Sequence, residues 1–389
     1  MTESGAHNPS AHLPRVTIVE EGMREGMQIE SADISVDAKV RLLDALSRTG
    51  LTHIVAGSFV SPRWVPQMKD VDELLRRFTP APGVTYTALS LNHQGELRKA
   101  EHTPPLSPPD GVGRSMLHLC DVFLQRNTAR TLEQERVAVA ETIERAVDVG
   151  VSSAIIAVNA AWGSNWLGAF SEEQRMEALA FQRDAWMTAG IPTTGVYLGD
   201  PMSWNTPRVV RAHVRHVIET WPDLTSVHLH LHNGRGTAPL SAYAALHELD
   251  ERHELIIDSS IGGMGGCPYC GNGRATKMIP TEDLVFLLES EGIDTGVDLP
   301  ALIEAAHLAE EVVGHELYGH VSKVGALPSG QSLYAMDMPL IETIAEAQHF
   351  RLGPGTYAGG SAPWKSPITS VHRDELSARE SSPTGGEPE

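Results

Sequence analysis

Short apolar, β-branched runs alternate with amphipathic helical patterns eight times between residue 15 and residue 297. The candidate strands are 15–20 (RVTIVE), 52–58, 85–91, 115–122, 152–159, 193–200, 226–233 and 254–263. Helical spacing fills the gaps, as at 36–50, 131–150, 171–190, 206–221 and 281–292. Several of these segments end in Gly, as a helix C-cap does, and "TLEQ" and "SEEQ" open two of them as capping boxes. Eight strand–helix units over about 280 residues predict an α/β chain folded as a (β/α)8 TIM barrel. Two doubly wound domains are the competing arrangement. No Gly-x-Gly-x-x-Gly follows the first strand, which weakens its dinucleotide-binding form.

The rest of the chain divides around that barrel. Residues 1–14 read as a flexible N-terminal arm and 15–297 as the catalytic barrel. Residues 298–352 read as a helical extension packed on the barrel or forming a subunit contact. Residues 353–389, rich in Gly, Pro and Ser, read as a flexible, disordered tail. A formal charge of −20 disfavours nucleic acid, whose phosphates need a basic surface. No apolar leader opens the sequence and no apolar run reaches the ~18 residues of a membrane span. A soluble cytoplasmic protein without membrane partners is expected, acting on a small molecule and assembling as a homodimer or higher homo-oligomer.

In a barrel of this kind the chemistry gathers at the C-terminal ends of the strands. Strand seven reads "HLHLH", and side chains at i, i+2 and i+4 share a face. His228, His230 and His232 therefore point the same way, toward the interior if the leucines face the helices. Two imidazoles so spaced can bind one divalent metal, although a hydrogen-bonded polar layer would use the same residues. Strand one ends "VEEGMREGMQIE", offering Glu20, Glu21, Arg24, Glu25, Gln28 and Glu30. A carboxylate there could complete the metal site, and Arg24 could hold a developing enolate. Mg2+ or Mn2+ would suit an oxygen-rich mixed site; Co2+ or Zn2+ would suit a histidine-heavy one. Asp200, closing strand six in "YLGDP", is either a base or an Asp that starts a turn before Pro201.

Taken together, "EEGMREGMQIE", "SFVSPRWVPQM", "LGD", "HLHNGRG", "DSSIGGMGGCPY" and "TEDLV" occur in the order that resembles 3-hydroxy-3-methylglutaryl-CoA lyase. The resemblance covers about residues 15–310 and lies within the metal-dependent barrel lyases and acyltransferases. It implies retro-Claisen cleavage of a branched 3-hydroxyacyl-CoA to acetyl-CoA, or another acyl-CoA, and an oxo acid. It further implies metal ligation by Glu25, His230 and His232 and catalysis by Arg24, Cys267, Asp200, His230 and Glu282. Gln28, Ser58, Arg63, Lys69, Arg274 and Lys277 are the expected substrate-binding residues. The chain departs from the pattern at three places. Glu25 stands where the family has Asp. Val55 stands where it has an acidic residue on strand two. The loop after Cys267 is about two residues longer, with Met278 in place of a ligating Asn. A condensing acyltransferase of the isopropylmalate or homocitrate synthase type shares the barrel and metal, but usually carries a longer C-terminal region. A metal-impaired homologue that acts by binding is the third reading.

Cys267 and Cys270 form "CPYC", a spacing also used for thiol–disulfide exchange. Redox pairs sit at a helix N-terminus, whereas "GGMGG" precedes this pair and "GNGRATK" follows it. A glycine-hinged lid carrying Cys267 as the proton carrier is the preferred reading. Cys270 is then either incidental or a partner in a reversible disulfide.

Overall fold

The computed structural model describes residues 12–90, 93–340 and 360–381. Eight parallel strands curl into one sheet: β1 (Arg15–Glu20), β2 (His53–Ser58), β3 (Thr85–Leu89), β4 (Val112–His118), β5 (Ser153–Asn159), β6 (Thr193–Asp200), β7 (Ser226–Leu231) and β8 (Glu254–Ser259). Their order is β3-β2-β1-β8-β7-β6-β5-β4, the cyclic sequence of a TIM barrel. Helices α1 (Val36–Leu46), α2 (Val71–Arg77), α3 (His93–Ala100), α4 (Asp121–Thr128), α5 (Leu132–Asp148), α6 (Glu172–Thr188), α7 (Pro207–Thr220), α8 (Ala238–Leu246) and α9 (Thr281–Ser290) lie between or after the strands, and α10 (Leu299–Val313) packs against α1 and α9.

Local chemistry sets these boundaries. Thr131 and Ser171 form the two capping boxes that the sequence predicts, with Gln134 and Gln174 bonding back. Gly150 and Gly190 follow α5 and α6 at φ 74° and 80°, a backbone that L side chains resist. Strand four differs from its expected span of 115–122. It ends at His118, because Cys120 caps α4 with its sulfur accepting from Phe123 N at 3.3 Å.

The chain forms two compact units, Met1–Gly319 and His320–Glu389. The second contains a short helix, Val321–Val324, and a further one, Val371–Ser381, within the segment expected to be a flexible tail. Most of the expected N-terminal arm (residues 1–11), residues 341–359 of the extension and tail, and 382–389 lie outside the described residues. No helix among the described residues is long and apolar enough to cross a membrane.

Candidate active site

The site begins where β1 ends. Glu20 is fully buried; its Oε1 accepts from Gly22 N at 2.7 Å and Ile261 N at 2.9 Å, and its Oε2 accepts from the Thr281 hydroxyl. This one side chain ties the β1 turn, the loop after β8 and the start of α9 together. Burial pushes its carboxyl up to about 7 against the pull of those hydrogen bonds. A Cβ on Gly22 would meet Glu20 Oε1 at 2.5 Å and Ile261 Cγ2 at 2.9 Å, so any larger residue would have to displace the Glu20 carboxylate. The chain then makes one widened helical turn, Gly22–Gly26, closed by Gly26 N donating to Glu21 O at 3.1 Å. That turn carries Glu21, Arg24 and Glu25 inward. Arg24 Nε lies 2.8 Å from Glu21 Oε2, Nη2 donates to Glu21 Oε1 at 3.2 Å, and Nη1 donates to Glu25 Oε2. Gln28 Nε2 donates to the same Glu25 oxygen at 3.0 Å, so Gln28 orients a candidate ligand.

β6, β7 and β8 supply the opposite wall. His228 lies opposite Tyr197 on one side and Ile256 on the other, and one register step beyond Ile257↔Leu229 brings Asp258 beside His230. Asp258 accepts from His228 Nε2 at 2.6 Å and from His230 Nδ1 at 2.7 Å. Burial opposes its ionisation, but the two imidazoles outweigh burial and hold the carboxyl below the ordinary range. Burial likewise pulls His230 down, while its hydrogen bond to Asp258 lifts it above its ordinary value. With its Nδ1 hydrogen on Asp258, the neutral form of His230 presents Nε2 as a lone pair.

His232 is oriented differently. The Thr276 hydroxyl donates its one hydrogen to Gly273 O at 2.8 Å, so toward His232 Nδ1, 3.0 Å away, it can only accept. His232 Nε2 is therefore also a lone pair. It is buried, has no hydrogen-bond partner among the described residues, and lies 3.6 Å from Glu25 Oε1. Burial, followed by His230 and Arg24, holds this ring well below its usual proton affinity. Ligand atoms of Glu25, His230 and His232 all fall within 4.8 Å of one another. Two neutral imidazole nitrogens and one carboxylate oxygen, one of the nitrogens otherwise orphaned, fit a divalent cation. Glu21, His230 and Asp258 also bring ligand atoms within 4.8 Å of one another, but both Asp258 oxygens accept from the histidines and Glu21 is ion-paired with Arg24.

The glycine-rich loop closes over this cluster. Cys267 is buried and its N–H donates to Thr276 Oγ1 at 3.2 Å, so one hydroxyl joins the cysteine loop to His232. Cys120, Cys267 and Cys270 share one apolar cluster with Phe123, Ala160 and Met202. Cys270 donates to Pro201 O at 3.1 Å; a hydrogen bond with Cys267 and then burial push its thiol up. No α-helix begins at the pair, only the single 3-10 turn Gly273–Ala275. The loop is strapped from outside by Arg126 Nε donating to Tyr269 O at 2.9 Å and by Asn165 Nδ2 donating to Cys270 O at 3.1 Å.

The remaining expected residues are distributed unevenly. Both Asp200 oxygens serve the following turn, accepting from Trp204 N at 3.0 Å and from Asn205 N and Nδ2 at 2.6 Å. Burial nevertheless raises its proton affinity. Glu282 is buried and accepts from Gly262 N at 3.0 Å, anchoring the foot of the cysteine loop. Ser58 ends β2 with a buried hydroxyl that has no hydrogen-bond partner among the described residues. Arg63 and Lys69 are exposed on the loop between β2 and α2. Lys277 holds its ammonium 3.6 Å from the Tyr318 ring centre. Arg274 lies in the 3-10 turn, and its side chain is outside the described set. Met278 is fully buried, with Cγ against Gly265. Thr276 lies outside the quoted motifs, and Asp258, although it opens "DSSIGGMGGCPY", is not among the expected site residues; both carry parts of the site.

The family model described as HMGL-like matches residues 15–309. The chain belongs to the HMGL-like family. It is 33% identical over 311 residues to the 3-hydroxy-3-isohexenylglutaryl-CoA/hydroxymethylglutaryl-CoA lyase of Pseudomonas aeruginosa, covering 78% of this chain and 95% of that one. Identity is 32% over 298 residues to mitochondrial hydroxymethylglutaryl-CoA lyase of Mus musculus, covering 75% and 84%. Among solved structures, an HMG-CoA lyase of Acinetobacter baumannii in complex with coenzyme A and 3-methylmalate superposes with TM-score 0.66 at 28% identity, covering 86% and 99%. These relatives are lyases, and the eight-stranded barrel of this HMGL-like chain matches their fold.

Proposed function

We propose that this protein is a metal-dependent carbon–carbon lyase that cleaves a branched 3-hydroxyacyl-CoA of the hydroxymethylglutaryl type into an acyl-CoA and an oxo acid. The observation that carries the reading is the buried triad of Glu25, His230 and His232, with both imidazoles presenting Nε2, beside Arg24 and beneath the cysteine loop. Glu25, His230 and His232 would hold Mg2+ or Mn2+, with Co2+ or Zn2+ also matching the donors; the ion would polarise the substrate hydroxyl and a carboxylate oxygen.

The remaining work falls to the protein. Asp200, whose proton affinity burial raises, takes the hydroxyl proton as general base. The electron pair of the O–H bond becomes the carbonyl of the oxo acid, and the bond between C2 and C3 breaks. Its electrons form the enolate of the acyl-CoA, which the Arg24 guanidinium stabilises. Cys267 donates a proton to the enolate carbon, and Thr276 fixes the loop that carries it. Glu282 holds the base of that loop through Gly262. Arg63, Lys69, Arg274 and Lys277 are the cations offered to the carboxylate and to CoA phosphates. Ser58 offers a free hydroxyl.

The test incubates the protein with 3-hydroxy-3-methylglutaryl-CoA and longer-chain homologues, with Mg2+ or Mn2+, and follows acyl-CoA and oxo acid by chromatography. Equal amounts of both products, lost on chelation and restored by metal, are expected. Turnover of free hydroxy acids alone would refute the thioester part. Condensation of an acyl-CoA with a 2-oxo acid would favour the acyltransferase reading.

A further inference from the structure

Arg24 is gripped from two sides, and the two grips differ. Glu25 Oε2 takes Arg24 Nη1 but also accepts from Gln28, and the other Glu25 oxygen faces His232 Nε2. Glu25 is therefore divided between the guanidinium and the ligand cluster. Glu21 is not divided: among the described residues the hydrogen bond of its carboxylate comes from Arg24 Nη2 at 3.2 Å, and its other oxygen stands 2.8 Å from Arg24 Nε as an ion-pair contact. One hydrogen bond and one ion-pair contact on adjacent guanidinium nitrogens hold that edge of the group against Glu21. Both side chains are largely covered, 15% exposed for Arg24 and 7% for Glu21, so water competes little for the pair. Across the sheet, the β1–β2 register pairs Glu20 with Ile54, and Glu21 and Val55 are the next residues on each side; Val55 is a buried apolar side chain with nothing to offer a cation.

We infer that Glu21 is the positioning residue that aims Arg24 at the ligand cluster, doing from the β1 turn what an acidic side chain at position 55 of β2 could do from the neighbouring strand. The inference rests on the lyase reading for its kinetic consequence but not for its geometry. Were Glu25 engaged in holding a cation with the histidines, Glu21 would be left to keep Arg24 in register.

The experiment compares wild type, Glu21→Gln, Glu21→Val and the exchange variant Glu21→Val/Val55→Glu, each metal-loaded. Three readouts are taken: kcat and KM for hydroxyacyl-CoA cleavage, the Kd for Mn2+, and the Nε–Hε resonance of Arg24 in 15N spectra. Glu21→Gln and Glu21→Val should lower kcat about 10- to 100-fold, the cost of misaiming a reacting group, with KM and Mn2+ affinity changed by less than about threefold. The exchange variant should recover about tenfold or more over Glu21→Val. The Arg24 Nε–Hε signal should move and exchange faster with water in the single variants. Unchanged kcat, or Mn2+ affinity falling in step with kcat, would overturn the assignment. If the wild type turns over no hydroxyacyl-CoA, the lyase reading fails by itself. The Arg24 resonance then decides, and an unaltered signal in Glu21→Gln overturns the positioning role.

Discussion

Asp258→Asn tests the site at its least visible support. The carboxylate accepts one hydrogen from His228 and one from His230, at 2.6 and 2.7 Å, and is 3% exposed. An amide of the same shape has one acceptor and one donor end, so it can satisfy only one of the two imidazoles as they stand. With its oxygen toward His230, His228 loses its partner. With its nitrogen toward His230, that ring must carry its proton on Nε2, the atom that should ligate the metal. Losing one charge-assisted hydrogen bond costs about 1.5–3 kcal/mol, and altering the support of a ligating histidine typically costs about 10- to 100-fold in metal affinity. The expected result is a Mn2+ Kd raised about 10- to 100-fold by calorimetry or EPR titration, with a lowered unfolding midpoint in the metal-free protein. A folded variant binding Mn2+ within twofold of wild type would refute both the tautomer argument and the assignment of His230 as a ligand. Because the readout is metal binding, the result does not depend on knowing the substrate.

Other outcomes follow from the same geometry. His232→Ala should abolish metal-dependent turnover and weaken Mn2+ binding more than Asp258→Asn does, since it removes a ligand outright; calorimetry ranks the two. Cys267→Ala should lower kcat about 100- to 10,000-fold while leaving the Mn2+ Kd unchanged. Cys270→Ala should keep activity under reducing conditions, and equal loss in both variants would contradict the lone-proton-carrier role. Glu20, fully buried, should make stability fall as pH rises. Between 4.5 and about 7 the folded state keeps a proton that the unfolded state has lost, so up to roughly 3 kcal/mol of stability present below pH 4.5 is lost across that window. Denaturant midpoints measured from pH 4.5 to 7.5 should therefore decline less steeply in Glu20→Gln than in wild type.

Much of this arrangement was legible in the residues. Strand–helix alternation predicts the barrel because eight amphipathic units of that length have few ways to bury their faces. The alternation HLHLH predicts the shared face of His228, His230 and His232, because period two is a property of the strand itself. Asp258 was within reach of the same logic, since Glu254, Ile256 and Asp258 alternate along β8, yet only the sheet register places it beside His230. Thr276 was not legible. It lies in an irregular loop without periodicity, and its role depends on where one hydroxyl hydrogen points. Asp200 illustrates the converse: the sequence allows a base or a turn former, and the three hydrogen bonds to Trp204 and Asn205 engage it in the turn whatever else it does.

Two of the three departures from the family pattern, Glu25 and the Met278 loop, also bear on one another in space. A Cβ built on Gly265 would stand 2.8 Å from Met278 Cγ and 3.4 Å from Glu25 Cγ. Glu25 Cγ is the methylene that an aspartate lacks, and Met278 is the side chain in place of the expected asparagine. The longer acid and the thioether thus approach the same bare stretch of glycine backbone from two sides, and the lengthened loop brings Thr276 back to His232. Restoring aspartate at position 25 alone would leave space beside Gly265 and draw the carboxylate away from Arg24 and Gln28, both of which bond to Glu25 Oε2. Restoring asparagine at 278 alone would bury an amide beneath a loop shaped for a thioether, at the cost of an unsatisfied polar group unless the cation takes its oxygen. The two substitutions therefore meet at one glycine, and a glutamate at position 25 is the length of acid that reaches both Gly265 and the Arg24 and Gln28 donors.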